Sequence, residues 1–281
     1  MAAHAEDVEP GPLDSLLAAV REAPVPAWDR RRHYWGGPER TLAYVLVLDT
    51  INFSFWGSPT PGGYWRLAEG LRDAFLAGDD LADPHRLARV GVAELARWTG
   101  ELTLMEERAG ALRELGQAAV ELGGLAGLVR DGAAATAAAL ADRLSSYADF
   151  AAYRGRRVPI LKRAQIVPAD LHGAGVVEFS DLDALTCFAD YKLPQVLRKF
   201  GALRYSDRLA RRVDDWRELA PGEAAEVEIR AATVVAVERL REALEAAGRR
   251  LGSFEVDWIL WGLSQELHPV RPYHRTRTIF Y

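Results

Sequence analysis

The sequence predicts a mainly α-helical protein: a single compact helical domain over residues 13–281, behind a flexible tail at 1–12. Three observations predict it. Between Tyr64 and Ser145, leucine and alanine recur at i, i+3 and i+4, broken at glycines and at Asp83-Pro84. Residues 221–248, PGEAAEVEIRAATVVAVERLREALEAAG, form a long amphipathic pattern with Val227, Val234, Leu240 and Leu244 inward. FEVDWILWGLSQEL, 254–267, is a last helix carrying two tryptophans.

The remaining elements follow in order. LDSLLAAVREA, 13–23, has helical spacing and is stopped by Pro24 and Pro26. TLAYVLVLDTINFSFWG, 41–57, is a buried strand or a buried helix, which periodicity alone does not separate. Residues 101–129 and 131–150 each read as one helix, and 158–175 as an apolar-basic one. In SDLDALTCFADY, Ser180 is placed to cap a helix whose first turn holds Asp181 and Asp183. Pro194 suits the first turn of the next helix, and Gly201 its end. Glu226 and Arg230 stand at i and i+4 and read as a solvated surface pair.

Composition narrows the function. The formal net charge of −5 argues against a protein that neutralises many phosphates, yet suits a small anion held by a few arginines. One cysteine, Cys187, rules out an internal disulfide and a cysteine-rich zinc site. The N-terminus lacks a secretory pattern, and no apolar run is long enough to span a membrane. A cytoplasmic protein with no membrane partner is expected. Nucleotide loops, zinc-protease and nucleophile-elbow motifs are absent, and the six histidines fall at no metal-ligand spacing. No metal and no cofactor are expected.

Two carboxylates sit in aromatic settings. Asp190, between Phe188 and Tyr191, has three readings: a helix cap, a salt-bridge partner of Lys192, or an acid that does chemistry. Asp257 lies beside Trp258 and near Trp261, where rings and an acid suit a flat ligand with N–H donors. The C-terminal run with Arg271, His274, Arg275 and Arg277 is either a phosphate contact or a solvated end. Cys187 paired with His172 or His274 is a weaker nucleophile candidate, since lone apolar cysteines mostly pack.

Several unusual strings then coincide. FADYKLPQVLRKFGALRYS, EVEIRAATVVAVERLR, DWILW and the ending HRTRTIFY resemble the queuosine salvage proteins, as do LDTINFSFWG and LKRAQIVPAD. The resemblance spans residues 28–281 in order. It implies a helical N-glycosylase distantly similar to the helix-hairpin-helix DNA glycosylases. Such a protein cleaves queuosine 5′-monophosphate and releases queuine for tRNA modification, without metal or cofactor. Residue by residue it implies Asp190 as the catalytic aspartate, Phe188 in the same pocket, and His33 as a substrate-binding histidine. Asp257 and Trp258 match an Asp-Tyr pair that contacts the base, and Gly262 stands where the family has an aspartate. Lys192, Lys199 and Arg275 are the expected cationic contacts to substrate, with Lys162 and Arg163 as further phosphate candidates.

The chemistry suits these residues. Breaking an N-glycosidic bond develops positive charge on the sugar, which a carboxylate stabilises; one such group supplies about 3–4 kcal/mol. Queuine is a 7-deazaguanine and lacks the ring nitrogen that helps purines leave, so contacts at its Watson–Crick edge carry that role. The rival expectations are a non-catalytic binder of a modified base or nucleotide, and a nucleosidase for a related nucleotide. A glycosylase acting on a nucleic acid polymer is disfavoured by the acidic balance.

Overall fold

The computed structural model describes residues 5–268 and 270–281. Among them are twelve α-helices: α1 (Asp14–Val20), α2 (Pro38–Thr50), α3 (Gly63–Leu76), α4 (Pro84–Leu87), α5 (Val92–Thr99), α6 (Met105–Glu121), α7 (Ala133–Arg143), α8 (Lys162–Gly173), α9 (Lys192–Lys199), α10 (Asp207–Asp214), α11 (Ala224–Ala246) and α12 (Ser253–Glu266). Four short strands accompany them: β1 (Val8–Pro10), β2 (Phe150–Tyr153), β3 (Arg156–Pro159) and β4 (Leu203–Tyr205). The fold is mainly α, as the leucine and alanine spacing predicts. The chain divides into two compact units, each assembled from separated stretches.

The first unit comprises the residues up to Pro26, Phe150–Lys162 and Asp183–Arg277. Its core is organised by α11, whose buried Ile229, Ala232, Ala236, Val237, Leu240 and Leu244 keep helical spacing along one side. Against that stripe pack Leu16 and Val20 of α1, Leu193 and Leu197 of α9, and Val256 and Leu260 of α12. Each such leucine is worth roughly 1.5–3 kcal/mol of burial, and Leu240→Ala is expected to cost about 2–5 kcal/mol. Ser206 caps α10, its Oγ accepting from Leu209 N at 3.2 Å.

Two features of this unit depart from the sequence reading. Residues 1–12 are expected as a loose tail, and residues 1–4 lie outside the described part. Val8–Pro10, however, pairs antiparallel with Leu203–Tyr205, and Val8 is buried in the core. A three-residue edge strand has too little periodicity to be read locally; its partner lies almost two hundred positions away. The other departure is the hairpin β2–β3, where a helix is expected from 158 onward. Arg154 (φ 48°) and Gly155 (φ 75°) form its two-residue turn, both in the left-handed region that matches strand twist.

The second unit comprises Ala27–Asp149, Arg163–Leu182 and Thr278–Tyr281. The ambiguous segment from Thr41 is helical up to Thr50, and every residue from Thr41 to Thr50 is buried. An apolar run with no exposed face is what a central helix requires. Tyr44 Oη satisfies itself on Ala68 O at 2.9 Å, and Thr50 Oγ1 bonds back to Leu46 O at 2.7 Å. Helix α6 ends at Glu121, because Gly123 and Gly124 turn to positive φ before a single 3-10 turn, Leu125–Leu128. A Cβ on Gly116 of α6 would collide with the backbone at Leu87–Ala88, so that close crossing needs glycine.

Past Thr50 the chain turns, and two buried arginines hold its carbonyls. Arg108 donates through Nε to Thr103 O at 2.8 Å and through its terminal nitrogens to Ile51, Phe53 and Ser54. Arg163 donates to the carbonyls of Asp49, Thr50 and Ser146. Both guanidinium groups lie near the Phe53 ring, at 4.4 and 4.9 Å. Asp181 does what the sequence suggests, but for a different helix. Ser180 opens no α-helix, and the segment holds one 3-10 turn, Leu182–Ala184. The Asp181 carboxylate instead accepts from Ala133 N and Ala134 N, at 2.7 and 3.2 Å, at the start of α7. No described helix is long and apolar enough to cross a membrane.

Candidate functional site

Asp190 stands two residues before α9, in the first unit. Its Oδ1 accepts from the first amides of that helix, Lys192 N at 2.6 Å and Leu193 N at 3.0 Å. Those amides have no partner inside the helix, and the helix dipole favours an anion there. The other carboxylate oxygen accepts no hydrogen bond from the described residues. The residue is only 9% exposed. Burial pushes the carboxyl above its ordinary pKa, while Lys162, the two amides and Lys192 pull it back down. The cap reading and the acid reading are therefore compatible: one oxygen fixes the group, and the other stays unengaged.

The residues before Asp190 are gripped from two helices. Phe188 N–H donates to Asp257 Oδ2 of α12 at 2.7 Å, and both residues are buried. Ala189 O accepts from Arg230 Nε of α11 at 3.0 Å. Arg230 also pairs with Glu226, Nη1 to Oε1 at 3.5 Å. The solvated pair expected at these positions is thus corrected: both side chains are 3% exposed. The i, i+4 spacing is right, but spacing says nothing of which face points inward. The signal was present, since Arg230 falls on the inward stripe between Val227 and Val234.

Rings and cations line the same stretch. Tyr191 lies 4.8 Å from Tyr273, which meets Trp216 edge-on at 5.3 Å. Lys192 Nζ lies 5.2 Å from the centre of the Tyr273 ring, and Arg275 lies 3.9 Å from that of Trp216. Burial lowers the pKa of Lys192, and the negative charge of Asp190 raises it. The basic C-terminal run is not a solvated end here: Leu219 N bonds to Arg275 O at 2.7 Å, and His274 and Thr276 are buried. Burial holds the His274 imidazole down at about 3.

The other predicted positions are distributed as follows. Trp258 is half-buried on α12 with its ring perpendicular to Phe254 at 5.2 Å. Gly262 is one turn further along, and a Cβ there would meet only Pro26, at 3.9 Å. Lys199 is exposed in the last turn of α9, the end opposite Asp190. Arg163 is engaged by carbonyls inside the second unit. The buried thiol of Cys187 is pushed far up by burial and by Asp257, Glu238 and Asp190, which leaves it protonated.

His33 belongs to the second unit. It stacks on Trp28 at 4.1 Å and takes hydrogen bonds at both ring nitrogens, Nδ1 with Asp29 O at 3.1 Å and Nε2 with Tyr64 Oη at 2.9 Å. Burial lowers its pKa to about 4, so the ring is neutral at physiological pH. With the Asp29 carbonyl accepting, the proton sits on Nδ1 and Tyr64 donates to Nε2.

The family described as "Queuosine salvage protein" matches residues 32–281. A queuosine 5′-phosphate N-glycosylase/hydrolase of Sphaerobacter thermophilus is 44% identical over 94% of this chain and 88% of the relative. The proteins of that name from Dictyostelium discoideum and Mus musculus are 37% and 32% identical, covering 86% and 88% of this chain and 79% and 83% of their own lengths. Family match and identity both span nearly the whole chain, the anchored Asp190 included, and the chain belongs to the queuosine salvage protein family.

Proposed function

We propose that the protein hydrolyses the N-glycosidic bond of queuosine 5′-phosphate in the cytoplasm and releases queuine. The observation that carries this reading is the anchored Asp190, a buried carboxylate with one oxygen fixed by helix amides and the other not hydrogen-bonded by the described residues.

In the reaction, the carbon–nitrogen bond breaks and water adds its oxygen to the anomeric carbon. One water proton ends on the base, and the products are queuine and ribose 5-phosphate. Asp190 in its ionised form stabilises the positive charge that develops on the sugar, or accepts the proton of the attacking water. Its position is set before substrate arrives, so no reorganisation is needed at the moment of reaction. The raised pKa makes this carboxylate a stronger base than an exposed aspartate. Asp257 and Trp258 take the edge and face of the base. Lys192 and Arg275 are the cations for the 5′-phosphate, and Lys199 is a further one. A small nucleotide is the substrate, rather than a nucleic acid polymer.

Incubation with queuosine 5′-monophosphate, followed by chromatography, tests the reading. Free queuine is expected, and Asp190→Asn abolishes it. Thermal stabilisation by the nucleotide with no product would replace the enzyme with a binder. Queuosine and guanosine, each as nucleoside and as 5′-phosphate, resolve the base preference from the phosphate preference in one panel. A steep loss of affinity with added salt would point to a polynucleotide instead.

A further inference from the structure

Three grips hold residues 188–190. Two are carboxylates, Asp257 on the Phe188 amide and Asp190 on its own helix. The third is a cation, Arg230, on the Ala189 carbonyl at 3.0 Å. Ala189 is fully buried among Tyr153, Val158, Ile160 and Val227, so this carbonyl has no exchange with bulk water to fall back on. The peptide joining Ala189 to Asp190 is planar, and fixing its oxygen fixes the direction in which the Asp190 backbone leaves it. Arg230 is itself immobilised by Glu226 one turn earlier on α11. A charge-assisted bond from a guanidinium held in this way is stiffer than a neutral one.

We propose that Arg230 is a positioning residue of this enzyme: by holding the Ala189 carbonyl, it sets where the Asp190 carboxylate points. The proposal rests on the N-glycosylase reading for its effect on rate. Arg230 acts through the backbone and is not a group that touches the substrate. Lys162 and Lys192 act on the Asp190 charge directly, and His274 lies near Arg230 and feels its charge.

The test uses two variants of the full chain. Glu226→Gln/Arg230→Met removes the grip and both charges together, which avoids leaving a buried carboxylate unpaired. Arg230→Lys keeps a cationic donor within reach of Ala189 O. For the double variant, kcat is expected to fall about tenfold or more with KM within about threefold, since small misplacement of a reacting group costs rate rather than affinity. Arg230→Lys recovers most of that loss. Amide hydrogen exchange reads the same grip without any substrate: protection at Lys192 and Leu193 drops in the double variant and returns in Arg230→Lys. A double variant with unchanged protection at those two amides overturns the proposal. So does kcat within twofold of wild type. If the double variant does not fold, Arg230→Gln takes its place under the same criteria. Wild-type protein that releases no base counts against the N-glycosylase reading alone, because the exchange readout still decides the role of Arg230.

Discussion

Two buried clusters of this protein handle charge in opposite ways. In the second unit, Arg108 and Arg163 sit against backbone carbonyls at the C-terminal end of α2 and the turn that follows. In the first unit, Asp190 sits against backbone amides at the N-terminal end of α9. Both follow the helix dipole, which favours cations at one end and anions at the other. The difference lies in what remains. Arg108 gives all three nitrogens to carbonyls and so serves the fold. Asp190 commits one oxygen, and burial raises its proton affinity. A buried charge that is saturated stabilises; one that is half-engaged keeps an oxygen for another partner.

The contrast is sharpened most by deleting each charge. Asp190→Asn is expected to lower base release by about a thousandfold or more, the scale of losing a group that stabilises transition-state charge. Its thermal midpoint does not fall, because the amide oxygen still accepts from Lys192 and Leu193. Arg108→Met does the reverse, costing more than about 3 kcal/mol in urea denaturation because several buried carbonyls lose their donor. A destabilised Asp190→Asn, or an Arg108→Met of wild-type stability, would break the comparison.

Smaller effects come from titration. The pKa of folded Asp190 lies above its unfolded value of 3.8. Its contribution to stability is therefore present below pH 3.8 and lost as pH rises through the folded value. The midpoint advantage of Asp190→Asn over wild type should grow across that window and then level off. His33 has the opposite sign, with its folded pKa depressed from 6.5 to about 4. Stability should fall by about 1.4 kcal/mol per pH unit for this group as pH drops through that range. His33→Gln should flatten the slope measured by calorimetry. The smallest expected effect is Gly262→Ala, a gain of about 0.5–1 kcal/mol, since the site is inside a helix with room for a methyl group.

What the sequence made legible was periodic or unusual. Helices α11 and α12, the stop at Gly201 and the family strings are local patterns, and they read correctly. What it hid depended on partners far along the chain. The FAAY and RRVP strands are too short to display alternation, although Arg154-Gly155 between them is a hairpin turn signal. Asp181 reads as an acid at a helix start, and only the tertiary fold reveals that the helix begins at Ala133. Asp190 is undecided in the sequence between cap and acid; the structure shows the cap, and that geometry is compatible with the acid. Arg230 looked solvated because an ion pair at i, i+4 is ordinary on surfaces; its neighbours Val227 and Val234 were the better guide.

The grip of Asp257 on Phe188 crosses 69 positions of chain. A ribosome adding roughly 5–20 residues per second needs about 3–14 s to bridge that gap. Through that interval the nascent polypeptide already displays its acid, but the Phe188 amide still lacks its carboxylate partner. Prematurely terminated products ending before α12 would therefore leave that amide unpaired, whatever helices they had managed to form.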